Sequence, residues 1–200
     1  IIIKILMKKL TIVLLLLLLL SGCANSAKND LAILKNHTVC CINLNDITFV
    51  AQQTKQFIHF DLKKQPVRLF GDAKSPFIAI EKPSDSRFAQ VFSYANGVFI
   101  QNATLVYPQL LLLDKSKQII QHLKPYEAWQ NGLPTILGLD GKLYYKTQFT
   151  LPSEAKYLIF YTDSGLNNKK TTINWRSQVG GSEYRYLTLT SFAKIGIKLL

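Results

Sequence analysis

Apolar and polar residues alternate along most of the chain from residue 41 onward. Successive side chains of a strand point to opposite faces, so this alternation predicts strands with one buried face. Ile58, Phe60 and Leu62 fall on one face in this way. The same alternation recurs in three further segments, residues 143–149, 157–161 and 195–199. A dominant period of two, in place of the helical period of about 3.6, predicts a domain built from strands.

Two apolar runs, residues 105–106 and 110–113, interrupt the alternation and predict a strand that is buried on both faces. Pro108 then marks a bulge or an edge, because proline cannot donate to a sheet ladder. Asn96-Gly97 and Asp140-Gly141 suit the two-residue turns of β-hairpins. Gly71-Asp72 and Ser164-Gly165 predict turns within two further strand pairs. About ten short strands at this spacing predict an all-β fold, a single β-sandwich or jelly-roll-like domain. A single helical turn is expected at residues 127–130, after Pro125.

The N-terminal segment is apolar without alternation. Lys8 and Lys9 precede eleven mostly apolar residues, 10–20, which suit a signal-peptide core and fall short of the roughly 20 residues that span a bilayer. The next residues complete Leu-Ser-Gly-Cys, which resembles a bacterial lipobox, where cleavage leaves Cys23 as an acylated first residue. An ordinary secretory signal with a chance cysteine is the alternative. The sequence therefore predicts a signal peptide over residues 1–22, with 1–6 as an extension upstream of the methionine.

Acylation of Cys23, for example by palmitate, predicts a lipoprotein that stays in the membrane. A single acyl chain binds a membrane only weakly and reversibly, whereas several chains anchor a protein stably. Ala24 stands where an Asp would indicate retention in the inner membrane, so anchoring to the outer membrane, facing the periplasm, is expected. Residues 23–40 are then the lipidated N-terminus and a short polar tether. Residues 41–200 are the β-sandwich domain.

The chain is basic, and processing changes its charge. The formal net charge of +12 falls to +9 once Lys4, Lys8 and Lys9 are removed. The export signal argues against nucleic acid as a partner. Anionic envelope material, such as lipid head groups or cell-wall polymers, suits a diffuse positive field better.

Cys40 and Cys41 are the cysteines left if Cys23 is lipidated. Their sequence leaves three states open: a vicinal disulfide, two reduced thiols, or an intermolecular bridge. A bridge between neighbours is unusual, since ordinary disulfides join Cα atoms about 5.5–6 Å apart. Bridges of that kind are the labile ones.

Sequence signatures of catalysis and metal binding are missing, including the nucleophile elbow, the zinc-protease helix and the phosphate-binding loop. His37, His59 and His122 have no acidic or cysteine neighbour at the spacing of metal ligands. The prediction is a protein that is not an enzyme and that holds no cofactor and no metal.

Three aromatic residues are candidate glycan contacts. Tyr126 and Trp129 lie in a loop bounded by prolines, and Trp175 follows another polar loop. Aromatic faces with Asn and Lys nearby can stack on sugar rings while the polar groups orient the ligand. The alternative is that each ring packs in the core.

Residues 65–83, QPVRLFGDAKSPFIAIEKP, contain an extended strand, a Gly-containing turn, Ser-x-Phe and a second strand that ends near a proline. This order is similar to a segment of the maltose-operon periplasmic protein family, MalM. Three further segments resemble strands of that family: residues 107–114 (YPQLLLLD), 156–163 (KYLIFYTD) and 195–199 (IGIKL). The resemblance covers roughly residues 57–200. It implies a periplasmic protein linked to maltose or maltodextrin uptake, without an established enzymatic activity.

This chain departs from the family pattern in being shorter and in carrying a lipobox and the Cys40-Cys41 pair. The expectation is a periplasm-facing lipoprotein that is a non-enzymatic accessory in carbohydrate transport or binding. Its partners would be the membrane, through Cys23, and a maltodextrin, another glycan or a transport-system protein. The alternative is a structural or protein-interaction module of the cell envelope with no sugar ligand.

Overall fold

Strands make up most of the chain that the computed structural model describes, which is residues 27–96, 103–125, 144–176 and 182–200. Within these ranges one α-helix, α1 (Ala27–Asn36), precedes the strands. The strands are β1 (Val50–Ala51), β2 (Phe57–Asp61), β3 (Val67–Phe70), β4 (Ala73–Glu81), β5 (Phe88–Tyr94), β6 (Thr104–Val106), β7 (Pro108–Leu113), β8 (Ile119–Leu123), β9 (Tyr144–Thr150), β10 (Tyr157–Thr162), β11 (Lys170–Arg176), β12 (Ser182–Thr190) and β13 (Lys194–Leu199). The prediction of an all-β, sandwich-like single domain is confirmed.

The strands form three sheets. Sheet I has six strands in the order β1-β4-β10-β7-β8, with β3 also paired to β4. Sheet II has four strands in the order β2-β13-β5-β9, and sheet III has three in the order β11-β12-β6. All pairings are antiparallel except β1 with β4 and β12 with β6.

The main core lies between sheets I and II. Ile80 and Leu158 of sheet I belong to the same buried cluster as Ile195, Ile197 and Leu199 of sheet II. The last three are the apolar positions of the alternation at the C-terminal end of the chain, and all three are buried. The period of two therefore placed the inner face of β13 correctly.

The central strands of sheet I, β4, β10 and β7, are buried on both faces, which explains their continuous apolar runs. The second face of sheet I carries Leu111 and Ile159, over which the segment 40–49 packs. Pro108 is the first residue of β7, a position where its missing N–H is tolerated. The predicted single strand is in fact two, because β6 pairs in sheet III and β7 in sheet I.

Two of the predicted turns can be located fully. Gly71 has a φ of 62° in the tight turn between β3 and β4, a conformation that glycine adopts without steric cost. The Ser164-Gly165 prediction of a strand pair is wrong, because a 3₁₀ turn (Ser164–Leu166) connects β10 of sheet I to β11 of sheet III. Asn96 bridges to Thr104. Gly97, Asp140-Gly141 and the helical turn predicted at 127–130 lie outside the described residues.

The polar tether predicted over residues 23–40 is wrong for residues 27–36, which form α1. Ala27, Asp30 and Leu34 recur at helical spacing and are buried, and Leu34 joins the main core. The Thr190 hydroxyl donates a 2.5 Å hydrogen bond to the Asp30 carboxylate, whose other oxygen lies 3.8 Å from the Lys63 ammonium. The helix is thus part of the domain. No helix among the described residues is long and apolar enough to cross a bilayer.

Candidate functional site

The outer face of sheet II, opposite the core, carries a group of aromatic side chains. They are Phe57 and His59 from β2, Phe92 and Tyr94 from β5, and Tyr144 from β9, and are called the aromatic face below. They alternate with inward-facing residues such as Val91, which is fully buried in the main core. The strand pleat therefore presents the rings on one side of the sheet.

Sheet register arranges this face as three rows across the four strands in the order β2, β13, β5 and β9. The first row is Phe57, Lys198, Gln90 and Gln148, and the second is His59, Gly196, Phe92 and Lys146. The third row consists of two pairs, Asp61 with Lys194 and Tyr94 with Tyr144. Cross-strand neighbours on one face lie close enough for their side chains to interact. The rows therefore alternate aromatic rings with amide and ammonium groups.

The rings contact one another in a continuous chain. Phe57 meets His59 at 4.7 Å and Phe92 at 5.1 Å, both edge-on, and His59 lies 5.6 Å from Tyr94. Tyr144 lies 5.4 Å from Phe92 and 6.0 Å from Tyr94. Aromatic pairs at such distances each contribute about 0.5–1.5 kcal/mol beyond the area they bury. The chain of contacts crosses the sheet from β2 to β9.

Gly196 makes the contact between Phe57 and Phe92 feasible. It lies on β13, between the strands that carry the two rings, and is paired with His59 on one side and Phe92 on the other. A Cβ atom on Gly196 would lie 2.4 Å from Cζ of Phe57. The missing side chain therefore lets the Phe57 ring lie over β13 and reach Phe92.

The aromatic face is accessible and has polar neighbours. Phe57 exposes 37% of its surface, His59 is exposed, and Phe92 and Tyr94 are half-buried, whereas Tyr144 is buried. The exposed ammonium of Lys146 lies 5.4 Å from the centre of the Phe92 ring. Exposed rings beside hydrogen-bonding groups are the combination that orients a ligand with both apolar and polar edges.

A cleft of about 290 Å³ opens between β8 and β9, the neighbouring edges of sheets I and II. Gln121 and Lys124 line one side, and Gln148 lines the other. Gln148 accepts a 3.0 Å hydrogen bond from Gln90, which is in the first row of the outer face of sheet II. The cleft therefore adjoins the aromatic face.

A second polar cluster lies on sheet I. The Tyr161 hydroxyl is hydrogen-bonded to Nε2 of His122, which also lies 2.9 Å from the Gln109 amide oxygen. Burial, reinforced by the nearby Asp163 carboxylate, raises the pKa of Tyr161, so its hydroxyl stays protonated. The Tyr161 ring stacks on Phe70 at 3.9 Å. The cluster thus holds a buried phenol in place against the end of β3.

The structure joins Cys40 and Cys41 by a vicinal disulfide. Cys41 has a φ of 47°, and both residues pack against the outer face of sheet I. The Cys40 backbone amide donates a 2.8 Å hydrogen bond to the Val67 carbonyl. The Arg68 guanidinium donates a 3.0 Å hydrogen bond to the Ile42 carbonyl. The disulfide therefore lies in a segment that is tied to β3.

The other predicted site residues are located only in part. Cys23, Tyr126 and Trp129 lie outside the described residues, and these predictions stay predictions. Trp175 lies on β11, opposite Glu183 of β12, and its side chain is outside the described part. No group of three or more His, Cys, Asp or Glu side chains that could hold a metal ion occurs among the residues described.

Sequence reasoning missed the aromatic face, although a signal for it was present. The alternation in β2 identified Ile58 and Phe60 as the inner face. The outward positions, which are polar in a typical solvated face, hold Phe57 and His59. In the same way β5 carries Phe92 and Tyr94 at its outward positions. Aromatic residues at the outward positions of a strand were the signal.

Comparison with known proteins identifies no family: no protein-family model and no curated protein matches the chain. Among solved structures, the chain is similar to the enzymatically active domain of bacteriophage CBA120 tailspike protein 4, with 9% sequence identity and a TM-score of 0.29. The match covers 64% of this chain and 14% of the tailspike chain. At that TM-score the similarity bears on neither the fold nor the function of this protein.

Proposed function

We propose that the protein is a non-enzymatic, carbohydrate-binding lipoprotein, held in the outer membrane by acyl chains on Cys23 and facing the periplasm. The aromatic face is its glycan site. The observation that carries this proposal is the chain of ring contacts across sheet II with Phe57, at 37% exposure, at one end. The resemblance to the MalM family makes maltodextrin uptake the first process in which to look for its role.

The chemistry of a sugar suits this surface. A sugar ring has apolar C–H faces, which pack on aromatic rings, and hydroxyl groups at its edge, which need donors and acceptors. On the aromatic face the rings of Phe57 and Phe92 offer the apolar contact. The amides of Gln90 and Gln148, in the neighbouring row, offer donors and acceptors for the hydroxyls.

The lipid anchor and the fold together would position the site. Ala27, the first residue of α1, follows Cys23 by four positions, and α1 packs on the domain. Four residues span at most about 14 Å when fully extended. The domain would therefore sit close to the membrane surface, where it could meet glycans passing an outer-membrane transporter.

The test compares two variants on the same sheet face. Phe57→Ala removes an exposed ring that belongs to the chain of contacts, and Phe88→Ala removes a ring of nearly equal exposure, 38%, whose position on β5 is outside the three rows. Calorimetric titration with maltodextrins and a panel of other glycans should show about tenfold weaker binding for Phe57→Ala, since loss of roughly 1.4 kcal/mol is a tenfold change. Phe88→Ala should bind like the parent protein. Equal affinity in all three proteins, or no glycan binding at all, would refute the proposal.

The alternative function is a protein-interaction module without a sugar ligand. The feature that favours it is β8, at the end of the strand order of sheet I, where Ile119 exposes 59% of its surface. An exposed strand edge with an apolar side chain can accept a strand from another protein. A protein partner whose binding survives excess glycan and is lost on Ile119→Lys would support this alternative.

A further inference from the structure

We infer that the glycan bound at the aromatic face is anionic and carries carboxylate or phosphate groups. This inference rests on the proposed function and concerns the class of ligand that the same site accepts. It derives from the balance of charged groups among the rows of the outer face of sheet II. The relevant groups are the ammonium groups of Lys146, Lys194 and Lys198 and the carboxylate of Asp61.

The single carboxylate in the rows is already engaged. Asp61 accepts a 3.1 Å hydrogen bond from the Lys63 backbone amide and lies directly opposite Lys194 in the sheet. Lys194 therefore has an opposite charge at the facing position of the neighbouring strand, where side chains are close enough to interact. Lys146 and Lys198 have no such neighbour in their rows, where their cross-strand partners are aromatic or amide residues.

Lys146 and Lys198 form no ion pair within the described ranges, where the ion pairs are Lys63 with Asp30 and Lys156 with Glu81. The Lys146 ammonium lies over the Phe92 ring at 5.4 Å, and Lys198 lies directly across from Phe57. Both uncompensated charges therefore flank the rings on which a sugar would stack. A neutral glycan would leave these charges without a counter-charge, whereas an acidic one would supply it.

The spacing of the two lysines favours an oligosaccharide over a single sugar. They are two strands and two residues apart, so their backbones are about 12 Å from each other for strands about 4.8 Å apart with a rise of about 3.4 Å per residue. An anionic oligomer with several charged units can meet both. The positive field of the chain, +9 once Lys4, Lys8 and Lys9 are removed by processing, also attracts an anionic ligand from a distance.

The experiment uses the purified protein in detergent and three ligands of equal length: maltohexaose, phosphorylated maltohexaose and hexagalacturonate. Each exposed charge pair strengthens binding by up to about fivefold, and salt screens this effect. One or both anionic ligands should therefore bind about tenfold more tightly than maltohexaose at 20 mM salt. This preference should largely disappear at 500 mM salt.

The decisive variant is the double substitution Lys146→Gln with Lys198→Gln. Its control is the double substitution Lys28→Gln with Lys115→Gln, which removes the same amount of charge. Both control positions are exposed, one on α1 and the other in the β7–β8 turn. The first pair should abolish the anionic preference, and the control pair should keep it. Equal loss in both pairs would overturn the inference, because net charge alone would then explain the preference. Equal affinity for neutral and anionic ligands would also overturn it while leaving the proposed function intact. Failure of all three ligands to bind, in contrast, would count against the proposed function as well.

Discussion

Gly196→Ala provides the sharpest test of the aromatic face, because two opposing effects predict different signs for the change in stability. Gly196 lies inside β13 and, unlike Gly71, has no positive φ, so alanine can adopt its backbone conformation. Replacing a strand glycine by alanine on an open surface stabilises a protein by roughly 0.5–1 kcal/mol, because alanine loses less backbone entropy on folding. Here, however, the new Cβ would lie 2.4 Å from Cζ of Phe57.

The clash must move the Phe57 ring, which is partly exposed and free to swing outward. That movement breaks its contacts with His59 at 4.7 Å and Phe92 at 5.1 Å. Two aromatic contacts are worth about 1–3 kcal/mol together. After subtraction of the backbone gain, Gly196→Ala should destabilise the fold by about 1 kcal/mol, or about 2–4 °C in Tm for a domain of this size.

Urea denaturation of the parent protein, the two single variants and the double variant measures both effects. In the Phe57→Ala background there is no ring to displace, so Gly196→Ala should now stabilise the fold by about 0.5–1 kcal/mol. Glycan affinity should fall in Gly196→Ala as it does in Phe57→Ala. A stabilising effect of Gly196→Ala in the parent protein would refute the reasoning, since it would show that Phe57 does not depend on the missing side chain.

Three further outcomes are expected. Leu34→Ala should lower the free energy of unfolding in urea by about 2–5 kcal/mol, because it leaves a cavity in the main core, and an effect below about 0.5 kcal/mol would favour the tether. Stability should fall as pH rises above 10, because burial raises the pKa of Tyr107 to about 12 and also raises that of Tyr161, so the unfolded chain loses these protons first. Tyr107→Phe should flatten this decline in urea titrations between pH 10 and 12, and an unchanged slope would contradict the assignment. Reduction of the Cys40–Cys41 disulfide should change the free energy of unfolding by only about 1 kcal/mol, since it closes the shortest of loops, and a loss above about 3 kcal/mol would contradict this.

Much of the strand content was predictable because it depends on local chemistry. The alternation at residues 195–199 identified the buried side of β13, and the turn at Gly71 followed from the freedom of glycine to take a positive φ. The helix α1 was missed although Ala27, Asp30 and Leu34 have helical spacing. The buried stripe of α1 contains the carboxylate of Asp30. A charged residue is normally predicted to be exposed to solvent unless its buried partner is known.

That partner is Thr190, which is 160 residues away in the sequence, and no local pattern reveals such a contact. The same limitation applies to the aromatic face. Phe57, Phe92 and Tyr144 come from three separate strands, and only the order β2-β13-β5-β9 brings their rings together. Sequence reasoning favoured loop aromatics for glycan binding because a loop signal is local, whereas a sheet face depends on which strands pair.

The sequence by itself determined that the chain folds into β-strands and which side of several strands faces the core, because a period of two expresses burial along a single strand. The tertiary structure decided which strands are neighbours, that residues 27–36 pack on the domain, and that Gly196 lies beneath Phe57. These features depend on register and on contacts between residues far apart in sequence. Hydrophobic burial is non-directional and selects a buried face, whereas register and hydrogen-bond pairing select the neighbours that make a surface.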